Sequence, residues 1–249
     1  MGTCHLVIEP EPQSGVRNMA LDEALLEAAL ERGQCTVRWY RWNSATVSLG
    51  YFQKSEAAAA IPRLNGLPVV RRLTGGGAIL HHLEWTYSCA VPPNHPLAQT
   101  PLQIYERVHD RIISALAERG VSSALRGTSL SGAEGAFLCF GRGDPRDVVL
   151  KGQKIVGSAQ RRRRGAVLQH GSLLFRQSEY APEFPGVLDL APGTVLDDGF
   201  VAELGESMGA IFGSFTAGES HDRLVEERVT LLEPRYRILE WGRRRSNEA

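Results

Sequence analysis

The sequence predicts an α/β fold, a single domain built on a mixed sheet. Its 249 residues are 43% hydrophobic, which is enough to bury a large core without disulfides or metal ions. Short segments rich in β-branched and aromatic residues alternate with segments of helical periodicity, and no proline- or serine-rich linker divides the chain. We expect one domain over residues 1–249, with its core at about 14–213 and a small helical tail at 214–249.

The first predicted elements are a helix and two strands. The helix runs from Ser14, a residue type that caps helix N-termini, to about Gly33, a residue type that ends helices. Residues 35–42 and 45–52 are rich in β-branched and aromatic side chains, and only two residues separate them. This pattern predicts that the two strands pair with each other.

Two further strands flank a glycine-rich loop, and a helix follows them. GLPVVRRLT (66–74) leads into Gly75–Gly77, and EWTYSCAV (84–91) comes after the loop. The helix begins with Thr100 as its cap and ends near Gly120. Its apolar residues recur every four positions: Ile104, Val108, Ile112 and Leu116. Such a stripe predicts a helix that packs on the sheet.

The second half of the chain predicts a hairpin and a last helix. KGQKIVGSAQ (151–160) and GAVLQHGSLLF (165–175) are typical of strands, and the run Arg161–Arg164 between them predicts a charged turn. Apolar residues at helical spacing then predict a helix near 198–212.

Composition limits the possible partners. Lys plus Arg number 28 and Asp plus Glu number 28, so no global field attracts nucleic acid or an anionic membrane. No apolar run approaches the ~20 residues of a membrane-spanning helix, and the N-terminus lacks a signal-peptide pattern. The four cysteines lack the spacing of metal ligands. We expect a cytoplasmic protein with free thiols and no metal site.

The triplet Gly75–Gly77 is an unusual choice for an ordered loop, because glycine loses the most backbone entropy on folding. Such a loop is favoured where the chain needs positive φ angles or where a ligand lies against the main chain. The spacing matches neither the dinucleotide-binding motif nor the phosphate-binding P-loop. From these residues alone, a tight turn and a ligand-binding wall are equally supported.

Cys139 lies in the segment FLCFGRGD (137–144). A cysteine among apolar neighbours is more often a small buried hydrophobe than a reactive group. The alternative is a nucleophile whose thiolate is favoured by a nearby cation, and Lys154 in the strand 151–160 is the natural candidate. A lysine in a strand is, in turn, more often a solvated edge residue.

Two other features also have a structural and a functional interpretation. His170 lies between apolar residues and a glycine, where a histidine is more often a hydrogen-bonded structural group than a catalyst. The run Arg161–Arg164 is either a solvated hairpin tip or a patch that attracts an acidic carrier protein.

RRLTGGGAILHH (71–82), KGQKIVGSAQ (151–160) and LQHGSLL (168–174) together resemble the lipoate-protein ligase and octanoyltransferase family, which shares its catalytic domain with biotin-protein ligases. The first segment is similar to the family's Arg-Arg-x-Ser/Thr-Gly-Gly-Gly-Ala loop with a following histidine. The other two resemble its Gly-x-Lys-x-x-Gly-Ser-Ala and His-Gly-Ser/Thr pair. NMALDEALL, RWYRWNSATVSLGYFQ and PRYRILEWGRRR extend the resemblance almost end to end. It implies the biotin/lipoate-protein ligase catalytic fold, a largely antiparallel sheet flanked by helices.

The resemblance also implies a set of site residues. In the family, the glycine loop contacts the substrate's acyl chain and carboxyl end, and the lysine contacts the reacting acyl group. Cys139 and Lys154 are the catalytic residues that the resemblance implies. The implied substrate-binding residues are Arg72, Thr74, Gly75, Gly76, Gly77, Ala78, His81, Gly157, Ser158, Ala159, His170 and Gly171. Arg72 and His81 are expected to shape the mouth of an acyl tunnel.

The position of Cys139, fifteen residues before Lys154, resembles the cysteine-dependent octanoyltransferase branch of the family. That branch implies octanoyl-acyl carrier protein as donor, a lipoyl-domain acceptor such as the glycine-cleavage carrier or a 2-oxoacid dehydrogenase E2, and no cofactor. The loop GRGDPRD (141–147) departs from the Pro-Ser of that branch and partly matches the Gly-Arg-Asn-Asp of ligases that use ATP and Mg²⁺. An amidotransferase between carrier proteins and a carrier-binding scaffold without activity are the remaining alternatives.

Overall fold

The structure is a computed structural model, and it describes residues 3–59, 61–128, 137–218 and 220–239. The strands within these residues are β1 Cys4–Ile8, β2 Cys35–Tyr40, β3 Thr46–Leu49, β4 Val69–Arg71, β5 Ile79–His81, β6 Glu84–Val91, β7 Ala124–Leu125, β8 Val148–Leu150, β9 Gln153–Arg163, β10 Ala166–Leu174 and β11 Phe215–Gly218. The α-helices are α1 Gly15–Arg32, α2 Glu56–Ala59, α3 Pro96–Gln99, α4 Leu102–Glu118, α5 Val187–Leu190, α6 Asp198–Gly209 and α7 Arg223–Tyr236.

The strands form two sheets. The main sheet has eight strands in the order β11-β1-β2-β6-β10-β9-β8-β7, and the smaller sheet has the order β4-β3-β5. In the main sheet, β1 is parallel to both β11 and β2, whereas every pairing from β2 to β7 is antiparallel. The prediction of an α/β fold with a mixed, largely antiparallel sheet flanked by helices is therefore confirmed.

Helices α1 and α7 cover one face of the main sheet. The α1 helix begins after Ser14, whose side chain accepts a hydrogen bond from the Arg17 amide, and ends at Gly33 with a φ of 65°. It is buried on most sides because α7 packs on it with Val225 and Val229. This double covering explains why the apolar residues of α1 do not follow one stripe.

Helices α4 and α6 cover the opposite face. The predicted stripe of α4 is fully buried in this part of the core: Ile104, Val108, Ile112 and Leu116. The helix begins at Leu102, and Thr100 contributes its backbone carbonyl rather than its side chain to the first turn. The helix predicted near 198–212 is observed as α6 and a 3₁₀ turn, Ala210–Phe212.

The predicted pairing of strands 35–42 and 45–52 was wrong. β2 pairs with β1 and β6 in the main sheet, whereas β3 pairs with β4 and β5 in the smaller one. Every residue of both strands is buried, and each strand has a partner strand on both of its edges. The short connection carries the chain from one sheet to the other instead of reversing it.

The predicted hairpin is present, but the arginine run is not its turn. β9 continues to Arg163 and β10 starts at Ala166, so the turn consists of Arg164 and Gly165, with φ angles of 48° and 88°. Arg163 forms an ion pair with Glu27 at 3.2 Å. Arg161–Arg163 therefore belong to strand β9 and not to the turn.

The segment predicted as a helical tail, 214–249, contributes a strand as well as a helix. β11 extends the edge of the main sheet beside β1, and α7 buries Leu232 and Tyr236 in the core beneath it. Residues 240–249 lie outside the described residues. Within the described ranges, no helix combines the length and the apolar composition needed to cross a bilayer.

Candidate active site

Backbone hydrogen bonds join the glycine-rich loop to the Cys139 segment. The Ala78 amide donates to the Phe137 carbonyl at 3.0 Å, and the Cys139 amide donates to the Ala78 carbonyl at 2.6 Å. Cys139 opens a short 3₁₀ turn, Cys139–Gly141, and is half-buried. Two motifs that are distant in sequence are thus fixed side by side.

Each glycine of the loop has a different environment. Gly76 has a φ of 90°, which residues with a Cβ rarely adopt. A Cβ on Gly77 would lie 3.1 Å from the Phe137 carbonyl oxygen and 3.2 Å from the Cys139 Cα. A Cβ on Gly75 would meet no atom within 4 Å. The loop is therefore packed closely on its Cys139 side and open at Gly75.

Arg72 holds the loop from the interior. Its guanidinium donates to the carbonyls of Gly75 and Gly77 at 2.7 and 2.6 Å, and to Thr74 Oγ1 at 3.0 Å. Burial lowers the pKa of Arg72 to about 10, while a thiolate at Cys139 acts in the opposite direction. Arg72 is buried in the structure, and its place at the mouth of an acyl tunnel stays a prediction.

His81 is also interior. Its Nδ1 donates to Glu84 Oε1 at 2.6 Å, its Nε2 accepts from Ser48 Oγ at 2.8 Å, and its ring stacks on Trp42 with centroids 3.8 Å apart. Burial lowers the pKa of His81, which favours this neutral form. The side chain joins the smaller sheet to the main sheet and so fixes the strand that follows the glycine loop.

His170 connects the glycine loop to helix α1. Its Nε2 lies 2.6 Å from Thr74 Oγ1, and its Nδ1 lies 2.9 Å from Asp22 Oδ2. Asp22 also pairs with buried Arg38 at 3.1 Å. Burial acts to raise the pKa of Asp22, but the hydrogen bond and charge of His170 lower it below its usual value. These contacts support the structural interpretation of His170.

Lys154 extends from β9 toward Cys139. Its Nζ lies 3.9 Å from Cys139 Sγ, 3.4 Å from the Cys139 carbonyl oxygen and 2.9 Å from Asp147 Oδ1. Only 4% of its side chain is exposed, so it is not the solvated edge group that a strand lysine usually is. The structure therefore brings together the two residues that were predicted to be catalytic.

Asp147 is a site residue that sequence reasoning missed. It holds the Lys154 ammonium, accepts a hydrogen bond from the Asp144 amide at 2.8 Å and lies 3.6 Å from Arg126 Nε. Burial raises the pKa of Asp147, although the Lys154 charge opposes the shift. The only sequence signal is an acidic residue directly before the apolar strand β8.

His109 was also missed, because it lies next to the apolar stripe of α4. Its Nδ1 donates to the Arg146 carbonyl at 2.5 Å, which leaves Nε2 to accept from Ser158 Oγ at 2.6 Å. Ser158 also lies 2.5 Å from the Tyr87 hydroxyl. Burial lowers the pKa of His109 to about 4. The hydrogen bond to the Arg146 carbonyl opposes this shift, and the Lys154 charge adds to it.

The Gly-Ser-Ala and His-Gly residues lie opposite each other on β9 and β10. Gly157 passes so close to Lys154 that a Cβ there would lie 2.5 Å from its Cε and 2.9 Å from its Nζ. Gly171 faces Ser158 and Ala159 faces His170 across the strand pair. The absence of a side chain at Gly157 leaves room for Lys154, which reaches Cys139.

An open cleft of about 520 Å³ lies beside these groups. Its lining includes Gly75, His109, Asp147 and Ser158, together with Arg161 and Arg162 farther along β9. Behind the glycine loop, two voids of about 20 and 10 Å³ lie next to Ala78 and Arg72. In the described part of the chain, no three His, Cys, Asp or Glu side chains form a metal-binding group.

The other three cysteines lie away from the site. Cys4, Cys35 and Cys89 are buried in the core, on β1, β2 and β6. Burial raises the pKa of Cys89 well above its usual value, which keeps this thiol protonated. Among the four, Cys139 alone is partly exposed and lies next to a cation.

The chain is similar to proteins named octanoyltransferase LipM. It is 31% identical to the one from Symbiobacterium thermophilum over 279 aligned positions, which cover 98% of this chain and all of that protein. It is 37% identical to the one from Brevibacillus brevis, but that match covers 67% of this chain and 64% of the relative. This chain thus spans less than two thirds of the Brevibacillus protein.

Solved structures share the fold at lower sequence identity. A putative lipoate protein ligase from T. acidophilum superimposes with a TM-score of 0.72 at 20% identity, covering 97% of this chain and 98% of that one. Lipoate-protein ligase A bound with ATP superimposes with a TM-score of 0.71, again at 20% identity and with the same coverage. The lipoyl protein ligase A/B catalytic domain model matches residues 14–199. The chain therefore belongs to the lipoyl protein ligase A/B catalytic domain family.

Proposed function

We propose that this protein is an octanoyltransferase of protein lipoylation that uses Cys139 as its nucleophile. The observation that carries the proposal is the 3.9 Å approach of the Lys154 ammonium to Cys139 Sγ, beside the glycine loop. A half-buried thiol next to a buried cation is the environment that favours a thiolate. The relatives named octanoyltransferase support the same activity.

In the first step, the Cys139 thiolate attacks the carbonyl carbon of an octanoyl thioester carried by acyl carrier protein. A carbon–sulfur bond to Cys139 forms, and the bond to the carrier's thiol breaks, so that the leaving thiolate takes up a proton. Lys154 stabilises the negative charge that develops on the carbonyl oxygen. Exchange of one thioester for another is close to isoenergetic, so this route needs neither ATP nor a metal.

In the second step, the uncharged amino group of an acceptor lysine attacks the Cys139 thioester. The new carbon–nitrogen bond is an amide, Cys139 leaves as a thiolate, and the nitrogen loses one proton. Asp147 keeps the Lys154 ammonium in position through both steps, because its carboxylate lies 2.9 Å from Nζ. The acceptor is a lipoyl-domain protein, and a solved relative of this fold is described as a bipartite lipoate protein ligase with its E2 lipoyl domain.

The octanoyl chain lies against the backbone of the glycine loop. Gly75 is open to the cleft, and Arg72 holds the loop through carbonyl hydrogen bonds that leave the other backbone surface for the chain. The voids behind the loop hold about one water each, so the chain enters by displacing apolar side chains such as Leu138 and Phe140.

The test offers purified protein three donors: octanoyl-acyl carrier protein, octanoate with ATP and Mg²⁺, and an octanoylated glycine-cleavage carrier. Octanoylation of a lipoyl domain is followed by mass spectrometry. The proposal predicts transfer from acyl carrier protein without ATP, loss of transfer in Cys139→Ala, and retention in the matched control Cys89→Ala. Transfer only with ATP would identify a ligase, transfer only from the glycine-cleavage carrier an amidotransferase, and no transfer a scaffold.

A further inference from the structure

The arginines of β9 divide into two groups that the sequence does not separate. Arg163 pairs with Glu27, and Arg164 lies in the hairpin turn. Arg161 and Arg162, in contrast, line the cleft that contains Ser158 and Asp147. The four arginines, which are consecutive in the sequence, therefore face different surroundings.

The cleft carries an excess of positive charge at its Arg162 end. Its two acidic residues are already paired, since Asp144 lies 3.4 Å from Arg146 and Asp147 holds Lys154. Arg161 and Arg162 have no carboxylate within ion-pair distance among the described residues. The Arg161 Nε is shielded from solvent and has no hydrogen-bond partner among the residues that the structure describes. The Arg161 guanidinium lies over the Tyr51 ring, 5.2 Å from its centroid.

The same end of the cleft meets the start of helix α4. Gln160 Nε2 donates to the Pro101 carbonyl at 2.7 Å, which places the first turn of the helix beside the arginines. Leu102, the first residue of the helix, lines the cleft and no side chain caps the turn. The positive end of the helix dipole therefore adds to the field of Arg161 and Arg162.

The cleft is also lined by apolar side chains. Phe52 is 83% exposed and Leu102 is 49% exposed, although both are large apolar side chains, and Tyr105 lies on the same wall. Exposed apolar groups that line a concave surface mark a binding site more often than isolated ones do. Ser158 and Arg162, which both line the cleft, are four positions apart on one strand, about 13 Å at ~3.3 Å per residue, so the cleft is elongated.

From this arrangement, and resting on the proposed function, we infer that the cleft binds the phosphopantetheine arm of the donor carrier protein, with Arg161 and Arg162 holding its phosphate. The arm has the matching chemistry from end to end. Its thioester reaches Cys139 and Lys154, its geminal methyl groups contact Phe52 and Leu102, and its phosphate lies between guanidinium groups at the entrance. Arginine is well suited to this contact because its planar group donates two parallel hydrogen bonds to phosphate oxygens.

The first measurement determines the affinity of ligands that carry no octanoyl group and therefore cannot react with Cys139. Isothermal titration calorimetry compares 4′-phosphopantetheine with pantetheine, which differ only in the phosphate group. Wild-type protein should bind the phosphorylated compound at least about tenfold more tightly, the effect expected of charge-assisted hydrogen bonds. The preference should disappear in the double variant Arg161→Ser/Arg162→Ser. It should persist in Arg164→Asn, a control that removes an arginine of the same run from the turn and keeps a residue suited to its positive φ.

The second measurement is the KM for acylation of Cys139 by octanoyl-phosphopantetheine and octanoyl-pantetheine. The KM for octanoyl-pantetheine divided by the KM for octanoyl-phosphopantetheine should be well above one in wild type and should fall to about one in the double variant. Equal binding of both compounds by the wild type, an unchanged preference in the double variant, or loss of the preference in Arg164→Asn would overturn the inference. ATP that displaces 4′-phosphopantetheine and binds more tightly would assign the arginines to a nucleotide and overturn it as well.

These outcomes separate the two proposals. If neither thioester acylates Cys139 but the arginine-dependent binding preference remains, the proposed function fails and the phosphate site stands. If both thioesters acylate Cys139 with equal KM, the proposed function stands and the phosphate site fails.

Discussion

Gly157→Ala displaces the Lys154 ammonium without removing any charge from the site. A Cβ at this position would lie 2.5 Å from Lys154 Cε and 2.9 Å from Nζ. Since ordinary carbon–carbon contacts begin near ~3.5 Å, the Lys154 side chain must retreat by about 1 Å. The strand itself accepts alanine, because Gly157 does not have a positive φ.

This retreat has a predicted cost in rate. Nζ contacts Asp147 at 2.9 Å and Cys139 Sγ at 3.9 Å, and both distances change when the side chain moves. A displacement of ~1 Å in an active site lowers rates by on the order of 100-fold, which corresponds to about 3 kcal/mol of transition-state stabilisation. We expect a loss of this size in the rate of Cys139 acylation, with a free energy of unfolding within about 1 kcal/mol of wild type.

Rapid-quench mass spectrometry with octanoyl-acyl carrier protein measures the acylation rate, and urea titration measures the stability. Gly218→Ala is the matched control, because it also changes a strand glycine, and the added Cβ would meet only the Ser220 carbonyl oxygen, at 3.9 Å. A Gly157→Ala protein that is stable and is acylated within about threefold of the wild-type rate would refute the claim that the position of Lys154 controls the reaction.

Three further predictions concern the groups around the site. Burial lowers the pKa of His109 to about 4, so between pH 6.5 and 4 the unfolded chain binds a proton that the native state does not. The wild-type protein should therefore lose up to about 3 kcal/mol of stability as the pH falls through this window. Urea titrations at several pH values should show a smaller loss in His109→Gln. Equal pH slopes in the two proteins would contradict this. Gly76→Ala should unfold at a lower urea concentration than Gly75→Ala, because Gly76 alone of the two has a positive φ, and equal midpoints would argue against that strain. Arg38→Leu should lower the free energy of unfolding by about 3–5 kcal/mol, since it leaves two buried carboxylates without their cation; a loss below about 1 kcal/mol in urea titration would count against it.

The sequence predicted where helices and strands form better than it predicted which strands pair with each other. Ser14 and Gly33 mark helix α1 because capping is decided by local chemistry. The partners of strands β2 and β3 depend on which sheet each strand enters, and buried strands in different sheets carry the same apolar pattern. Local composition therefore could not show that the connection between them changes sheets.

In the candidate site, too, residues in sequence motifs could be predicted and residues defined by tertiary contacts could not. Cys139, Lys154 and the glycine loop could be selected because they lie in motifs that resemble a family. Asp147 and His109 lie outside those motifs, and their importance arises from burial and from contacts with Lys154 and Ser158 that only the fold creates. The arginine run was treated as one turn because the sequence does not show where a strand ends.

The account depends most on Cys139 as the residue that carries the acyl group. Intact-mass measurement after incubation with octanoyl-acyl carrier protein, without ATP or free acid, tests this directly. We predict one added octanoyl group that hydroxylamine removes, that peptide mapping places on Cys139, and that is absent from Cys139→Ala and Cys139→Ser. An unmodified wild-type protein, or an adduct that persists in Cys139→Ala, would contradict the account.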